Sequence, residues 1–263
     1  MLTATLGAQQ AQPKARSISA PAPTAALEQL LTRKFAQGQA ALREYVYREH
    51  VITQKDQSRD ARTLIAWYVH GRPVSETVAL DIRPLSRAEI TAEHQRACAR
   101  AAAQRQRKPP PLGVLEFGGH SYPFARLARD FLYTNPRAIV WHGRMTWAYE
   151  AVPNPATQAR SHEETLLLHS RGQVYVDAED EQVVRISLHS TKPVHYAYGL
   201  VATIHQANFL LELQRLGPGL WLPAEADYHL DATILLVEHM VRSKQERFFD
   251  YTRASASTVP CSR

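Results

Sequence analysis

Gly172-Gln173-Val174-Tyr175-Val176-Asp177-Ala178-Glu179-Asp180-Glu181-Gln182-Val183-Val184-Arg185 is the stretch on which the fold turns. Residues 173–176 and 182–190 read as two strands, and the polar run 177–181 reads as the turn between them. Strands joined by so short a turn must pair antiparallel. The same grammar continues towards the C-terminus. Residues 201–214, 220–230 and 234–251 are strand candidates, divided by Gly217-Pro218-Gly219 and by Asp231-Ala232-Thr233. Upstream, 138–142 and 145–152 read as a hairpin around Gly143, closed by Pro153-Asn154-Pro155, and residues 162–170 as a short helix carrying Leu166 and Leu167. The second half of the chain is therefore an antiparallel meander.

The first half supplies helices and three more strands. Thr24 can cap a helix from Ala25, along which Leu27, Leu30, Leu31, Phe35 and Leu42 form one apolar stripe. Tyr45, Tyr47, Val51 and Thr53 then alternate with polar residues, which is strand periodicity, and residues 54–60 read as a turn. Residues 63–69 and 74–80 follow as strands about the turn His70-Gly71-Arg72-Pro73. Ser86-Arg87-Ala88-Glu89 has capping-box spacing and predicts a helix to about Arg105. Its apolar side is mostly alanine, so it is expected to bury little and to project. Residues 123–131 read as a short helix with Phe124, Leu127, Ala128 and Phe131 on one face. The expectation is one α+β domain over 25–253, a flexible leader or truncated signal remnant over 1–24, and a disordered tail over 254–263.

Composition excludes several classes. Of 263 residues, 44% are apolar and 21% charged, which is the balance of a folded globular protein and not of a disordered one. The net charge of +6 favours anionic surfaces without naming one. Cys98 and Cys261, the two cysteines, exclude a disulfide-rich scaffold, and the absence of C-x-x-C argues against a structural zinc site. The leader has small residues around Ala8 and Ala11, as at the end of an export signal, but no basic start and too short an apolar core.

Signals of chemistry are weak. Gly119-His120-Ser121-Tyr122-Pro123 follows a strand candidate at 114–117 and precedes a helix, as in the G-x-S-x-G elbow of serine hydrolases. Pro123 replaces the small final glycine, so Ser121 reads instead as a helix N-cap. His162-Glu163-Glu164-Thr165-Leu166 lacks the second histidine of H-E-x-x-H. The four carboxylates of 177–181 read as a solvated acidic turn and not as a calcium loop. The basic run Arg100, Arg105, Arg107 and Lys108 has no interleaved aromatics for base stacking, so it reads as a solvated helix face and nucleic acid is not an expected partner. No cofactor motif and no metal-ligand set is present.

The strand–turn–strand of residues 172–185 resembles that of bacterial outer-membrane lipoprotein-sorting (LolA-like) proteins, with Tyr175 in place of the usual Trp. Further motifs of that family follow in order: Gly143-Arg144 with Pro153-Asn154-Pro155, then Leu220-Trp221-Leu222-Pro223, then Phe248-Phe249-Asp250-Tyr251. Leu42-Arg43-Glu44-Tyr45 followed by Gly71-Arg72-Pro73-Val74 resembles the long variant found in soil bacteria. The resemblance covers about residues 27–252. It implies a curved antiparallel sheet, a half-open barrel, with helices covering the concave side. It also implies a non-enzymatic periplasmic or secreted carrier, its partner a lipid or the acyl chain of a lipoprotein, with hand-over to a membrane or envelope protein. A monomer is expected. Candidates for the cavity wall, chosen for size and strand placement, are Trp67, Trp141, Trp147, Tyr149, Phe209, Leu211, Tyr228 and Met240. The alternatives are a protein-interaction or envelope-stress sensing module with a filled core, and a serine hydrolase using Ser121.

Overall fold

A computed structural model describes residues 24–117, 120–196, 201–235 and 237–261. The leader 1–23 and Gly119 of the candidate elbow lie outside the described residues. The chain opens with α1 (Thr24–Leu42), β1 (Tyr45–Lys55), β2 (Ser58–Val69), β3 (Arg72–Leu80) and α2 (Arg87–Arg105). The hairpin β4 (Val114–Phe117) and β5 (His120–Pro123) leads into α3 (Phe124–Arg129). Then come β6 (Phe131–Trp141), β7 (Arg144–Pro153), α4 (His162–Leu168), β8 (Ser170–Asp177), β9 (Val183–Ser190) and β10 (Val194–Tyr196). The long strands β11 (Ala202–Gly217), β12 (Leu220–Ile234) and β13 (Glu238–Arg253) close it.

All strands but β4 and β5 form one antiparallel sheet in the order β3-β2-β1-β13-β12-β11-β9-β8-β7-β6, with β10 on β11. Its ends, β3 and β6, do not pair, so the sheet is not closed into a barrel. The expected α+β class and open antiparallel sheet are what the structure has. The chain returns β13 to β1, which places the first three strands beside the last. A meander read from the sequence does not foretell that pairing, because it joins residues 200 apart.

Residues directly opposite in register share a face. One row runs Tyr149, Val174, Ile186, Leu211, Ala226, Glu246, Val51 across seven strands. The next runs Ala151, Gly172, Leu188, Phe209, Tyr228, Lys244. The main core packs on this face at its β6–β9 end, where Leu27, Leu30 and Leu31 of α1 meet Tyr133, Tyr149, Val174 and Val176. α1 reaches from β6 to β12, so it lies across the face as a bar. Phe35 of α1 stacks on Phe124 of α3 at 4.0 Å between ring centroids. α4 covers a smaller cluster on the same side, Leu166 with Val194 and Ala207.

Several local expectations need correction. Asp231-Ala232-Thr233 is not a turn. Ala232 is buried and pairs with Ile204 and Met240, so ladder bonds override local turn preference, and the chain reverses after Leu235 at φ +49°. The turn expected at 54–60 shrinks to Asp56-Gln57, because Lys55 pairs with Ser58. α2 begins with the predicted capping box, Ser86 with Glu89. It does not project: Ala97 and Ala101 are fully buried against Trp67, Val69 and Val74, on the face opposite α1. Small side chains let the helix sit close to the strands. The tail is not disordered over 254–261. Val259 and Cys261 pack against the same cluster, and Cys261 is disulfide-bonded to Cys98 of α2.

Candidate functional site

The face that α1 crosses is the candidate site. Three apolar residues of α1 hold it down, and polar contacts fix its C-terminal half. Lys34 donates to the carbonyl of Asp180 at 2.9 Å. The Gln39 amide donates to the Val114 carbonyl at 2.8 Å and accepts from the Gly113 N–H at 2.7 Å. Arg43 donates to the Pro110 carbonyl at 3.2 Å. These partners sit on turns, on the loop after α2 or at the first residue of β4, not on the main sheet.

Strand parity sorts the eight wall candidates. Trp147, Tyr149, Phe209, Leu211 and Tyr228 share the α1 face, and Met240 lies on it at the far end, opposite Ala232. Tyr149 is buried in the core beneath α1, and Trp147 packs on its edge. Phe209 is 37% exposed, beyond the helix. Trp67 and Trp141 point to the other face and are withdrawn from the wall. Trp67 neighbours Ala66, which pairs with Tyr47 on the α1 side, and alternation therefore sends Trp67 under α2. Trp141 pairs with Arg144 across the hairpin and stacks edge-on with Tyr175, beneath the Arg185 guanidinium at 5.0 Å.

The acidic turn 177–181 is not simply solvated. Asp177 is 1% exposed. Arg144 grips it with two bonds, Nε to Oδ2 at 2.5 Å and Nη2 to Oδ1 at 2.9 Å. The Asp177 carboxylate also accepts from the backbone N–H groups of Glu179 and Asp180. Asp180 accepts from Arg215 and from the Trp221 indole, each at 2.8 Å. Burial raises the Asp180 carboxyl, but the bonds from Arg215 and Trp221 outweigh it and hold the group below the usual range. Arg144, Asp177, Asp180 and Trp221 come from three separate motifs of the family resemblance. They meet in one buried polar lock at the end of β8, on which α1 leans through Lys34. Its chemistry is structural: Arg144, Arg215, the Trp221 indole and two backbone N–H groups hold the Asp177 and Asp180 carboxylates in place.

At the β13–β1 end the α1 face turns polar. Glu49 and Glu246 lie side by side, flanked by Lys244 and Arg62. Burial, then the hydrogen bond and charge of Glu246, push the Glu49 carboxyl up to about 8. Tyr47 and Tyr251 pack beside it with ring centroids 5.3 Å apart and planes tilted by 31°, and burial drives both phenols upward. Composition gave no sign of this group, since the two glutamates are nearly 200 residues apart.

The other motifs resolve plainly. Ser121 lies within β5, opposite Glu116, and Pro123 holds the N-cap position of α3 without a side-chain bond. Ser121 is therefore neither the expected N-cap nor set on a sharp strand-to-helix turn. Leu166 of the H-E-x-x-L run is core. Arg100 and Arg105 of the basic run donate to the carbonyls of Ser75 and Cys261, so they pin α2 and the tail and are not merely a solvated face. The described residues form clefts away from α1 as well. One, about 350 Å³, lies by Pro153, His169 and Lys192. Another, about 440 Å³, crosses β9, β11, β12 and β13 and is lined by polar residues such as Ser187, Asn208 and His229 and by Leu188, Phe209 and Tyr228. Neither has an α1 residue in its wall.

No described helix is long and apolar enough to cross a membrane. No family model matches the chain, and no curated protein matches it. Solved structures do. A DUF1329 family protein from Desulfovibrio piger is 9% identical, covering 89% of this chain and 96% of its own, with a TM-score of 0.35. An outer membrane lipoprotein-sorting protein domain from Vibrio parahaemolyticus is 12% identical over 84% of this chain and 91% of its own, at 0.31. A LolA superfamily protein from Nitrosomonas europaea is 9% identical over 87% and 94%, at 0.33. The described strands form a large, open antiparallel sheet with few helices, and the similar solved structures include members of the family that the sequence motifs resemble.

Proposed function

We propose that this chain is a non-enzymatic binding protein of the bacterial periplasm that takes an acyl chain onto the α1 face. One observation carries the reading. The apolar rows of that face run past the core cluster that α1 covers, because Leu211, Phe209 and Tyr228 continue them across β11 and β12 outside that cluster. Phe209 at their centre is left 37% exposed. An acyl chain laid there gains roughly 0.8 kcal/mol per buried CH₂, so ten methylenes suffice for useful affinity. α1 is the movable cover. It is fastened to the sheet by a short apolar stripe and to loops by its polar contacts, so it can lift at one end while the sheet stays whole. The net charge of +6 suits an anionic head group.

Native mass spectrometry of the exported protein, followed by organic extraction, tests this. The expected result is one lipid-sized adduct per chain that reloads from fatty acid or lipopeptide. A clean unliganded mass that resists loading overturns it. A second reading, a protein-interaction module on the same fold, is favoured by the filled core beneath α1, where Leu27 and Leu31 are almost wholly buried. On that reading, a clean mass is accompanied by a stable complex with an envelope protein.

A further inference from the structure

On the face opposite α1, α2 carries His94 and Cys98 one helical turn apart, so both side chains rise on the same side of the helix. The returning tail delivers Cys261, whose disulfide to Cys98 spans 5.3 Å between Cα atoms. His94 Nε2 lies 3.5 Å from Cys98 Sγ. Its other ring nitrogen, Nδ1, is 3.0 Å from Oε2 of Glu76 on β3. That carboxylate is only 12% exposed, so the contact is well defined. The donor atoms of His94, Cys98 and Cys261 all lie within 4.8 Å of one another. A tetrahedral zinc ion with Zn–S near 2.3 Å and Zn–N near 2.0 Å needs its donors about 3.5–4 Å apart.

We propose that this corner, once the disulfide is opened, binds a thiophilic divalent cation through Cys98 Sγ, Cys261 Sγ and His94 Nε2. Glu76 is a positioning residue. By accepting a hydrogen bond from Nδ1–H it fixes the tautomer that leaves the Nε2 lone pair facing the sulfurs. A fourth position stays open to water or to a donor from a partner. The chemistry balances. A dithiol exchanges with the Cys98–Cys261 bond, becomes a disulfide itself, and leaves two thiols on this chain. Each thiol then gives up its proton to solvent as the cation binds, so one divalent ion releases two protons. The cation takes over the task of the disulfide and keeps Val259 and Cys261 on the cluster around Trp67. Spacing along the chain gave no metal set, because Cys98 and Cys261 are 163 residues apart and only the fold joins them. The inference does not depend on what the α1 face binds.

The whole chain is reduced with a phosphine, freed of it under argon, and titrated with Co²⁺ and then Zn²⁺. Expected are one Co²⁺ per chain, a thiolate-to-cobalt absorption in the near ultraviolet, the strong visible bands of a tetrahedral site, and displacement by Zn²⁺. His94→Ala and Glu76→Gln should each weaken Zn²⁺ binding by about 10–100-fold, while the oxidised protein takes up none. A reduced chain without the thiolate–cobalt band overturns the proposal, as does a His94→Ala variant that binds Zn²⁺ as tightly as the parent. Circular dichroism accompanies the titration. If reduction loosens the fold, Zn²⁺ must restore the native spectrum, and failure to do so counts against the site.

Discussion

Gly172 shows how much one residue can fix. A Cβ there would lie 1.7 Å from the carbonyl oxygen of Ser187, a backbone atom on β9 that cannot yield without breaking the ladder. Gly172→Ala is expected to cost about 3 kcal/mol or more, seen as a lower denaturation midpoint. The Arg144–Asp177 pair makes a second residue-scale prediction. Arg144→Met leaves a buried carboxylate without its cation and should cost about 3–5 kcal/mol, read by urea unfolding. The double change Arg144→Met with Asp177→Asn should recover part of it, because the buried charge is then gone. Glu49 gives a pH dependence. Its carboxyl is raised from 4.5 to about 8 in the folded chain. Between those values the unfolded chain has lost the proton that the folded chain keeps, so stability falls as pH rises through this window. Thermal unfolding at pH 5 and pH 8 should show that slope. Glu49→Gln should flatten it and be the more stable form at pH 8, by on the order of 1 kcal/mol.

At the scale of elements, α1 and α2 divide the work by face. α1 covers large aliphatic and aromatic side chains with leucines. α2 approaches the sheet closely through alanines, and the basic residues of its outer half donate to backbone carbonyls. Leu31→Ala should cost 2–5 kcal/mol, because Leu31 fills the main core. Phe209→Ser lies outside that core and should change stability by less than about 1 kcal/mol. On the acyl-chain reading it should nevertheless lower the amount of lipid recovered at least severalfold. Equal recovery from Phe209→Ser and parent would move the binding surface elsewhere on the sheet.

The whole molecule is closed by two long-range ties. β1 pairs with β13, and Cys98 bonds Cys261. The disulfide closes a loop of more than 160 residues, which on the chain-entropy account is worth up to about 5 kcal/mol. Cys261→Ser should therefore lower the thermal midpoint of the oxidised protein by several degrees or more and leave the α1 face unaltered. The ends of the sheet at β3 and β6 stay open, because no ladder bonds join those edges.

The sequence by itself determined the elements. Stripes at helical spacing located α1 and α3, Ser86 and Glu89 marked the start of α2, and alternation with glycine turns located most strands of the meander. Those signals are local, and local preference and pattern suffice to read them. The ordered motifs also pointed to an open antiparallel sheet of the LolA-like kind. What only the tertiary structure decided is which side chains share a face and which distant residues touch. A one-residue bulge reverses parity, so Trp67 and Trp141 could not be told from Phe209 by size and strand placement. The Asp231-Ala232-Thr233 turn was overruled by ladder pairs that local preference does not contain. The lock of Arg144, Asp177, Asp180 and Trp221, the pair Glu49–Glu246, and the corner of His94, Cys98 and Cys261 all join residues from separate strands, turns and helices. Sequence separation hides such contacts, because what brings them together is the summed register of a sheet and not any signal in the residues themselves.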